Sequence, residues 1–129
     1  MIPDSHRDIF NKQTFAYVAT IGTDGTPQVT PVWVEPGDDG TVRFSTVKGR
    51  VKHRNLVADP RVALAAADPD NAYRYVQLRG RVQLTDDPGK DLINRLSSKY
   101  VGIDRYDHDG PTDERVVVTV VPDHVSVMG

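Results

Sequence analysis

The stretch Thr14-Phe15-Ala16-Tyr17-Val18-Ala19-Thr20-Ile21-Gly22-Thr23-Asp24-Gly25-Thr26-Pro27-Gln28-Val29-Thr30-Pro31-Val32-Trp33-Val34-Glu35 is two extended segments around a turn. The first, Thr14–Ile21, is rich in strand formers, with Phe15, Tyr17 and Val18 set among small residues. Asp24-Gly25 supplies the positive-φ positions that a tight hairpin needs, so Gly22–Thr26 is the turn. The second strand covers Gln28–Glu35. Val29, Pro31, Trp33 and Glu35 share one of its faces, and Thr30, Val32 and Val34 the other. Pro31 has no N–H to give a ladder, which places this strand at an edge or in an irregular position.

Outward from the hairpin the pattern continues. Pro36–Gly40 reads as a turn and Thr41–Thr46 as a strand with Val42 and Phe44 alternating. The period changes over Val51–Ala58, where Val51, Leu56, Val57 and Ala58 sit among basic and polar residues; this suits a short helix, stopped by Asp59-Pro60. Arg61–Ala67 and Tyr73–Leu84 are strands around a turn at Asp68–Asn71. Gly80, midway along the longer strand, predicts a bulge or a close approach by another backbone. Asp86-Asp87-Pro88 reads as a helix start, and Lys90–Val101 carries Leu92, Ile93, Leu96 and Tyr100 at helical spacing. Gly102–Glu114 is polar and aperiodic, a loop or a partly mobile segment. Arg115–Met128 is the last strand, and its unbroken β-branched run Val116–Val121 predicts burial on both faces. At the other end, Asp4 or Ser5 caps a short helix ending near Lys12. Six or seven strands joined mostly by short turns, with two or three short helices, predict a mainly β fold, a small closed or split antiparallel barrel.

Composition narrows the function. The chain has 129 residues, one domain's worth, and residues 1–129 read as a single domain. Its 16 basic and 18 acidic residues leave a net charge of −2, which argues against a polycation built for nucleic acid. It has no cysteine, so disulfides, cysteine-ligated zinc, iron–sulfur clusters and a thiol nucleophile are excluded. Apolar residues make up 38%, a thin fraction that hints at core supplied by a second copy. No signal-peptide h-region is visible, and Val116–Val121 falls far short of the ~20 residues of a membrane span. A soluble cytoplasmic protein without a membrane partner is expected. There is no G-x-G-x-x-G, Walker loop or G-x-S-x-G, and His6, His53, His108 and His124 form no H-E-x-x-H or H-x-x-x-H pair. Asp104, Asp107, Asp109 and Gly110 resemble a calcium loop. With Gly110 as its invariant glycine, however, Arg105 takes the first ligand position and Val116 the last. A solvated acidic loop and no metal site are expected there.

One segment concentrates charge. Ser45-Thr46-Val47-Lys48-Gly49-Arg50-Val51-Lys52-His53-Arg54-Asn55-Leu56 holds four of the sixteen basic residues between Lys48 and Arg54. They fall where a strand ends, a glycine loosens the loop and a helix begins. A helix N-terminus offers unpaired N–H groups and a positive dipole end; hydroxyls and cations beside it make a phosphate or carboxylate receptor. A plain solvated basic face has equal weight on composition, and the strand-to-helix junction favours the anion site. Trp33, Tyr73 and Tyr75 fall in predicted strands. Packing is their commoner fate; the functional alternative is to wall a flat ring. A phosphate receptor beside flat aromatic walls suggests a phosphorylated planar cofactor.

Phe15-Ala16-Tyr17-Val18-Ala19-Thr20 and Asp24–Val34 resemble the opening hairpin of the pyridoxamine phosphate oxidase-like, FMN-binding split-barrel superfamily. Arg43-Phe44-Ser45-Thr46, Lys52-x-Arg54-Asn55-Leu56 and Asp59-Pro60-Arg61-Val62-Ala63-Leu64 look like its cofactor segment. Gly80-Arg81-Val82 and Val116–Val121 with Pro122-x-His124-Val125 also match, so the resemblance spans roughly Phe10 to Met128. Arg50-x-Lys52-x-x-Asn55-Leu56 is most similar to the branch that uses the deazaflavin coenzyme F420.

The resemblance implies a homodimer with cofactor sites between subunits. It implies Arg50 and Lys52 on the phosphate, Asn55 just inside the helix, and Ser45 and Thr46 beside the phosphate and ribityl chain. Gln28, Thr30, Pro31 and Val32 would lie along the ring, with Trp33 and Tyr73 on the substrate side. Lys48 and Arg54 would meet an acidic polyglutamyl tail. The implied activity is an F420H2-dependent oxidoreductase passing hydride to an unsaturated small molecule. No catalytic residue is assigned; His53 and Tyr73 are the candidate proton donors. The alternatives are an FMN-dependent oxidoreductase of the same fold, a non-catalytic F420-binding or storage protein, and a barrel binding single-stranded RNA through the basic run and the tyrosines.

Overall fold

Alternate residues along each extended segment turn inward and share one core. Val42 and Phe44, Leu64 and Ala66, Val76 and Leu78, and Val118 and Val120 are all buried this way. The computed structural model describes residues 2–129. Its strands are β1 (Ala16–Ile21), β2 (Pro27–Val32), β3 (Glu35–Pro36), β4 (Val42–Val47), β5 (Arg61–Asp68), β6 (Asn71–Asp86) and β7 (Arg115–Met128). Helix α1 (Val51–Ala58) joins β4 to β5, and α2 (Asp91–Val101) joins β6 to β7. All pairings are antiparallel, and the seven strands lie in the order β2-β1-β5-β6-β7-β4-β3, curled into a half-barrel. The mainly β antiparallel expectation holds, and β2 is an edge strand as Pro31 requires. Among the described residues no helix is long and apolar enough to cross a membrane.

Four local expectations are corrected. The strand expected over Gln28–Glu35 breaks into β2 and β3, because α2 takes the place of a ladder at Val34. The Val34 N–H donates to the Tyr100 hydroxyl at 3.0 Å, and Lys99 Nζ donates to the Val34 carbonyl at 2.7 Å. The N-terminal helix is only a 3-10 turn over Arg7–Asn11, and no side chain caps it. The Ser5 hydroxyl instead meets His6 Nδ1 at 2.8 Å, while His6 Nε2 donates to the Met128 carbonyl at 2.9 Å and ties the two chain ends together. Helix α2 begins at Asp91 rather than at Pro88. The buried Asp87 carboxylate accepts from the Asp91 and Leu92 N–H groups at 3.2 and 3.0 Å, an acid at a helix start from outside its first turn. In β7 only one face is fully buried: Val116, Val118 and Val120 face the core, while Val117 and Val121 are half-buried.

Gly80 shows both features predicted for it. The β6–β7 register slips between Arg79 and Gly80, and a Cβ on Gly80 would stand 2.0 Å from the Val121 carbonyl oxygen. The segment 102–114 is a loop, but it is tied down. The Tyr106 N–H donates to Asn94 at 2.9 Å, and the Asp109 side chain is 4% exposed. The expectation of a simply solvated acidic loop therefore fails at Asp109.

Candidate functional site

The free edge of β2 does not meet β4. Between them opens a cleft of about 720 Å³, walled by β2, the end of β4, the start of α1, and Ile93 and Leu96 of α2. One glycine turn shapes its rim. Gly49 takes φ +86, which turns the chain from β4 into α1, and its N–H donates to His53 Nδ1 at 3.0 Å. The Arg54 guanidinium donates back to the Gly49 carbonyl and braces the same turn. Arg50 stands at the N-cap of α1 with no side-chain cap, so the first N–H groups of the helix remain available at the cleft.

Nine of the twelve residues anticipated for the site line this cleft. Gln28, Thr30, Pro31, Val32 and Trp33 come from β2 and its continuation. Ser45 and Thr46 come from β4, and Arg50 and Lys52 from the α1 start. The other three lie elsewhere. Lys48 is exposed and pairs with Asp86 at 3.0 Å. Asn55 is buried, and its amide donates to the Thr20 hydroxyl at 3.1 Å, which fastens α1 to β1. Tyr73 is 87% exposed and does not reach the cleft of its own chain. His53 is absent from the cleft wall, and its Nδ1 is occupied by Gly49.

The electrostatics at the α1 end favour an anion. Lys52 is half-buried, and among the described residues it has no carboxylate within salt-bridge distance. Burial pushes its ammonium pKa below the ordinary lysine value, and the neighbouring Arg50 and Arg115 charges push it the same way. A desolvated cation facing other cations is stabilised by an added anion, and a phosphate supplies one. Arg50 is only loosely neutralised, by Asp113 at 3.7 Å. On the same wall the Thr30 hydroxyl oxygen is buried with no hydrogen-bond partner among the described residues. These are the features a phosphorylated, hydrogen-bonding planar group would satisfy.

The opposite end is aromatic. Trp33 stacks on Tyr100 with ring centroids 5.3 Å apart and planes 12° apart, and meets Tyr106 edge-on at 6.1 Å. Tyr100 is itself locked, since its hydroxyl donates to the Thr14 carbonyl at 2.6 Å. Trp33 is therefore a fixed wall rather than a free side chain.

Several cleft residues escaped the sequence reading: Phe15, Ile93, Leu96, Tyr106 and Arg115. Ile93 and Leu96 were legible as an apolar helical stripe, but not as facing a cleft. Tyr106 sat in an aperiodic loop that carried no positional signal. Arg115 opens the last strand, far from the basic run, and only the β4–β7 pairing, Val47 opposite Arg115, brings it to the α1 start.

A comparison with curated proteins finds no match. Among solved structures, one named an F420 reductase is 34% identical, covers 97% of this chain and 98% of its own, and superposes with a TM-score of 0.83. A conserved hypothetical protein from Mycobacterium tuberculosis is 25% identical over 99% of this chain and 85% of its own, at a TM-score of 0.78. General stress protein 26 from Bacillus anthracis shares the fold at 16% identity, 97% and 92% coverage and a TM-score of 0.71. A family model described as pyridoxamine 5'-phosphate oxidase matches residues 2–129. The chain belongs to the pyridoxamine 5'-phosphate oxidase family.

Proposed function

We propose that this protein is an oxidoreductase that holds the deazaflavin coenzyme F420 in the β2–α1 cleft and reduces an unsaturated small molecule. The observation that carries the reading is Lys52, a half-buried cation without an acid partner, beside Arg50 and the uncapped start of α1. The likeness to a structure named an F420 reductase supports it. In this reading Arg50 and Lys52 bind the phosphate, and Ser45 and Thr46 lie beside the ribityl chain. Thr30, Pro31, Val32 and Gln28 run along the ring. Lys48 and Arg54 stay at the rim, where an acidic tail would leave the cleft. Bound in reduced form, the deazaflavin supplies a hydride. The chain's own work is anion binding, orientation and exclusion of water by Trp33 and the α2 residues. Neither His53 nor Tyr73 stands on the cleft wall of its own chain, so no proton donor is assigned to this chain's cleft.

We also propose a homodimer. The outward face of the β1–β2 hairpin leaves Tyr17 and Val29 55% and 60% exposed, next to Ala63 and Ala65 of β5. A second copy would cover that face and bring exposed groups such as Tyr73 into a shared site. The FMN-dependent alternative is favoured by the description of the matching family model.

Fluorescence titration at one salt concentration separates these readings. Tight binding of F420, followed by oxidation of F420H2 with a panel of enones, quinones and nitroaromatics, is the expected result. Tight binding of FMN alone rejects the deazaflavin reading. Binding of F420 without turnover of any acceptor makes the protein a carrier.

A further inference from the structure

Arg115 is 5% exposed, yet it lies on the cleft wall. One edge of its guanidinium is committed: Nε and Nη2 donate to the Asp109 carboxylate at 2.9 and 2.6 Å. Its Cζ lies over the Tyr106 ring, 5.0 Å from the centroid. Nη1 is left with one long contact among the described residues, to the Ser45 hydroxyl at 3.5 Å, while the Tyr106 side chain also lies against the guanidinium. Asp109 is shared, since Lys90 Nζ also approaches it at 3.1 Å. Around this end of the cleft four cations, Lys90, Arg115, Lys52 and Arg50, face two carboxylates, Asp109 and Asp113. The excess is two positive charges.

We infer that Arg115 is a third anion-binding cation of the cleft, presenting Nη1 beside Ser45 to the ligand's phosphate, and that Asp109 is the positioning residue that aims it. The inference rests on the cofactor reading above and deepens it. A guanidinium needs a fixed orientation to direct one edge at a phosphate, and a two-point carboxylate clamp with an aromatic ring beneath provides it. The loop carrying Tyr106 and Asp109 thereby becomes part of the binding machinery. The competing role for Arg115 is purely structural, a buried pair that pins the loop.

The two roles separate when the ligand's phosphate is removed. Binding of FMN and riboflavin, and of F420 and its phosphate-free deazaflavin chromophore, is measured for the wild type and for Arg115→Gln. If Arg115 meets the phosphate, Arg115→Gln weakens the phosphorylated member of whichever pair the protein binds by about tenfold or more. The phosphate-free member changes by less than about twofold. Arg115→Lys keeps the charge but not the two-point clamp, and serves if the glutamine variant does not fold. It is expected to lose about threefold, again only against the phosphorylated ligand. Equal losses for both members of a pair overturn the inference and leave the cofactor reading standing. A wild-type protein that binds neither phosphorylated ring overturns both; one that binds the ring but does not distinguish phosphorylated from phosphate-free ligand overturns the inference together with the phosphate roles of Arg50 and Lys52.

Discussion

Lys99 makes the stability of this protein rise with pH across an alkaline window. Its ammonium is half-buried against β2 and donates to the Phe10 and Val34 carbonyls at 2.6 and 2.7 Å. Burial lowers its pKa from 10.5 to about 8, against a smaller upward pull from Glu35. The unfolded chain keeps that proton to about 10.5, whereas the folded chain releases it near 8. Between these values the unfolded state binds more protons, so raising the pH favours the folded state. The full difference is worth about 3 kcal/mol at ~1.36 kcal/mol per pKa unit. Partial solvent access reduces it to about 1.5 kcal/mol. Urea melts followed through Trp33, the chain's single tryptophan, at pH 7, 8, 9 and 10 and fixed protein concentration read this directly. Lys99→Met is the control. Lys52 is also depressed and contributes a slope of the same sign, so the test is the difference between the wild-type and variant curves. The raised pKa of Tyr100, caused by its burial, opposes the gain above about pH 10 and sets the upper limit of the window. Parallel curves from pH 8 to 10 would refute the reasoning. So would a wild-type stability that falls across that range.

Three further outcomes follow from other sites. Gly80→Ala forces a methyl group to within 2.0 Å of the Val121 carbonyl, so the bulge must open; a loss of about 3 kcal/mol is expected in urea melts, and an unchanged midpoint would show that β7 yields freely. Lys52→Ala should weaken cofactor binding about tenfold or more in a fluorescence titration, from the loss of a charge-assisted contact. The same variant should not lower the melting temperature of the ligand-free protein, because the lysine it removes is desolvated without an acid partner. Asp109→Asn leaves Arg115 buried without its carboxylate and should cost about 3 kcal/mol at neutral pH. Hydrogen bonding to Arg115 holds the Asp109 pKa down to about 2 against 3.8 unfolded, so its contribution is present above pH 4 and is lost as the pH falls toward 2. Melts of the variant and wild type should therefore converge in acid.

Local signals were legible wherever one periodic pattern or one turn decided the outcome. The Asp24-Gly25 hairpin, the α1 stop at Asp59-Pro60 and the irregularity at Gly80 all lie where expected. So does the basic run at the strand-to-helix junction, because strand alternation, helix start and glycine turn are properties of neighbours in sequence. The site was legible only on the side those neighbours build. Lys48 and Lys52 look equivalent in sequence, yet Lys48 meets Asp86 from β6 while Lys52 turns into the cleft without an acid. Asn55 looked like a ligand contact, yet its amide faces Thr20 of β1. In both cases the deciding partner lies at least thirty residues away, and nothing local encodes it.

From sequence alone came an antiparallel, mainly β chain with a cationic junction between β4 and α1, and a likeness to one family across nearly its whole length. Those conclusions depend on spacing, turn chemistry and charge order, which the chain carries before it folds. Tertiary structure alone decided that Lys99 and Tyr100 of α2 interrupt the β2 strand at Val34 and hold Trp33 as a fixed wall. It also decided that Arg115, sixty-odd residues beyond the basic run, joins Lys52 at the same end of the cleft, and that an apparently solvated acid, Asp109, is buried against it. Each of these pairings is long-range. It exists because the half-barrel closes β4 onto β7 and lays α2 over the open edge, and packing, not local propensity, sets those distances.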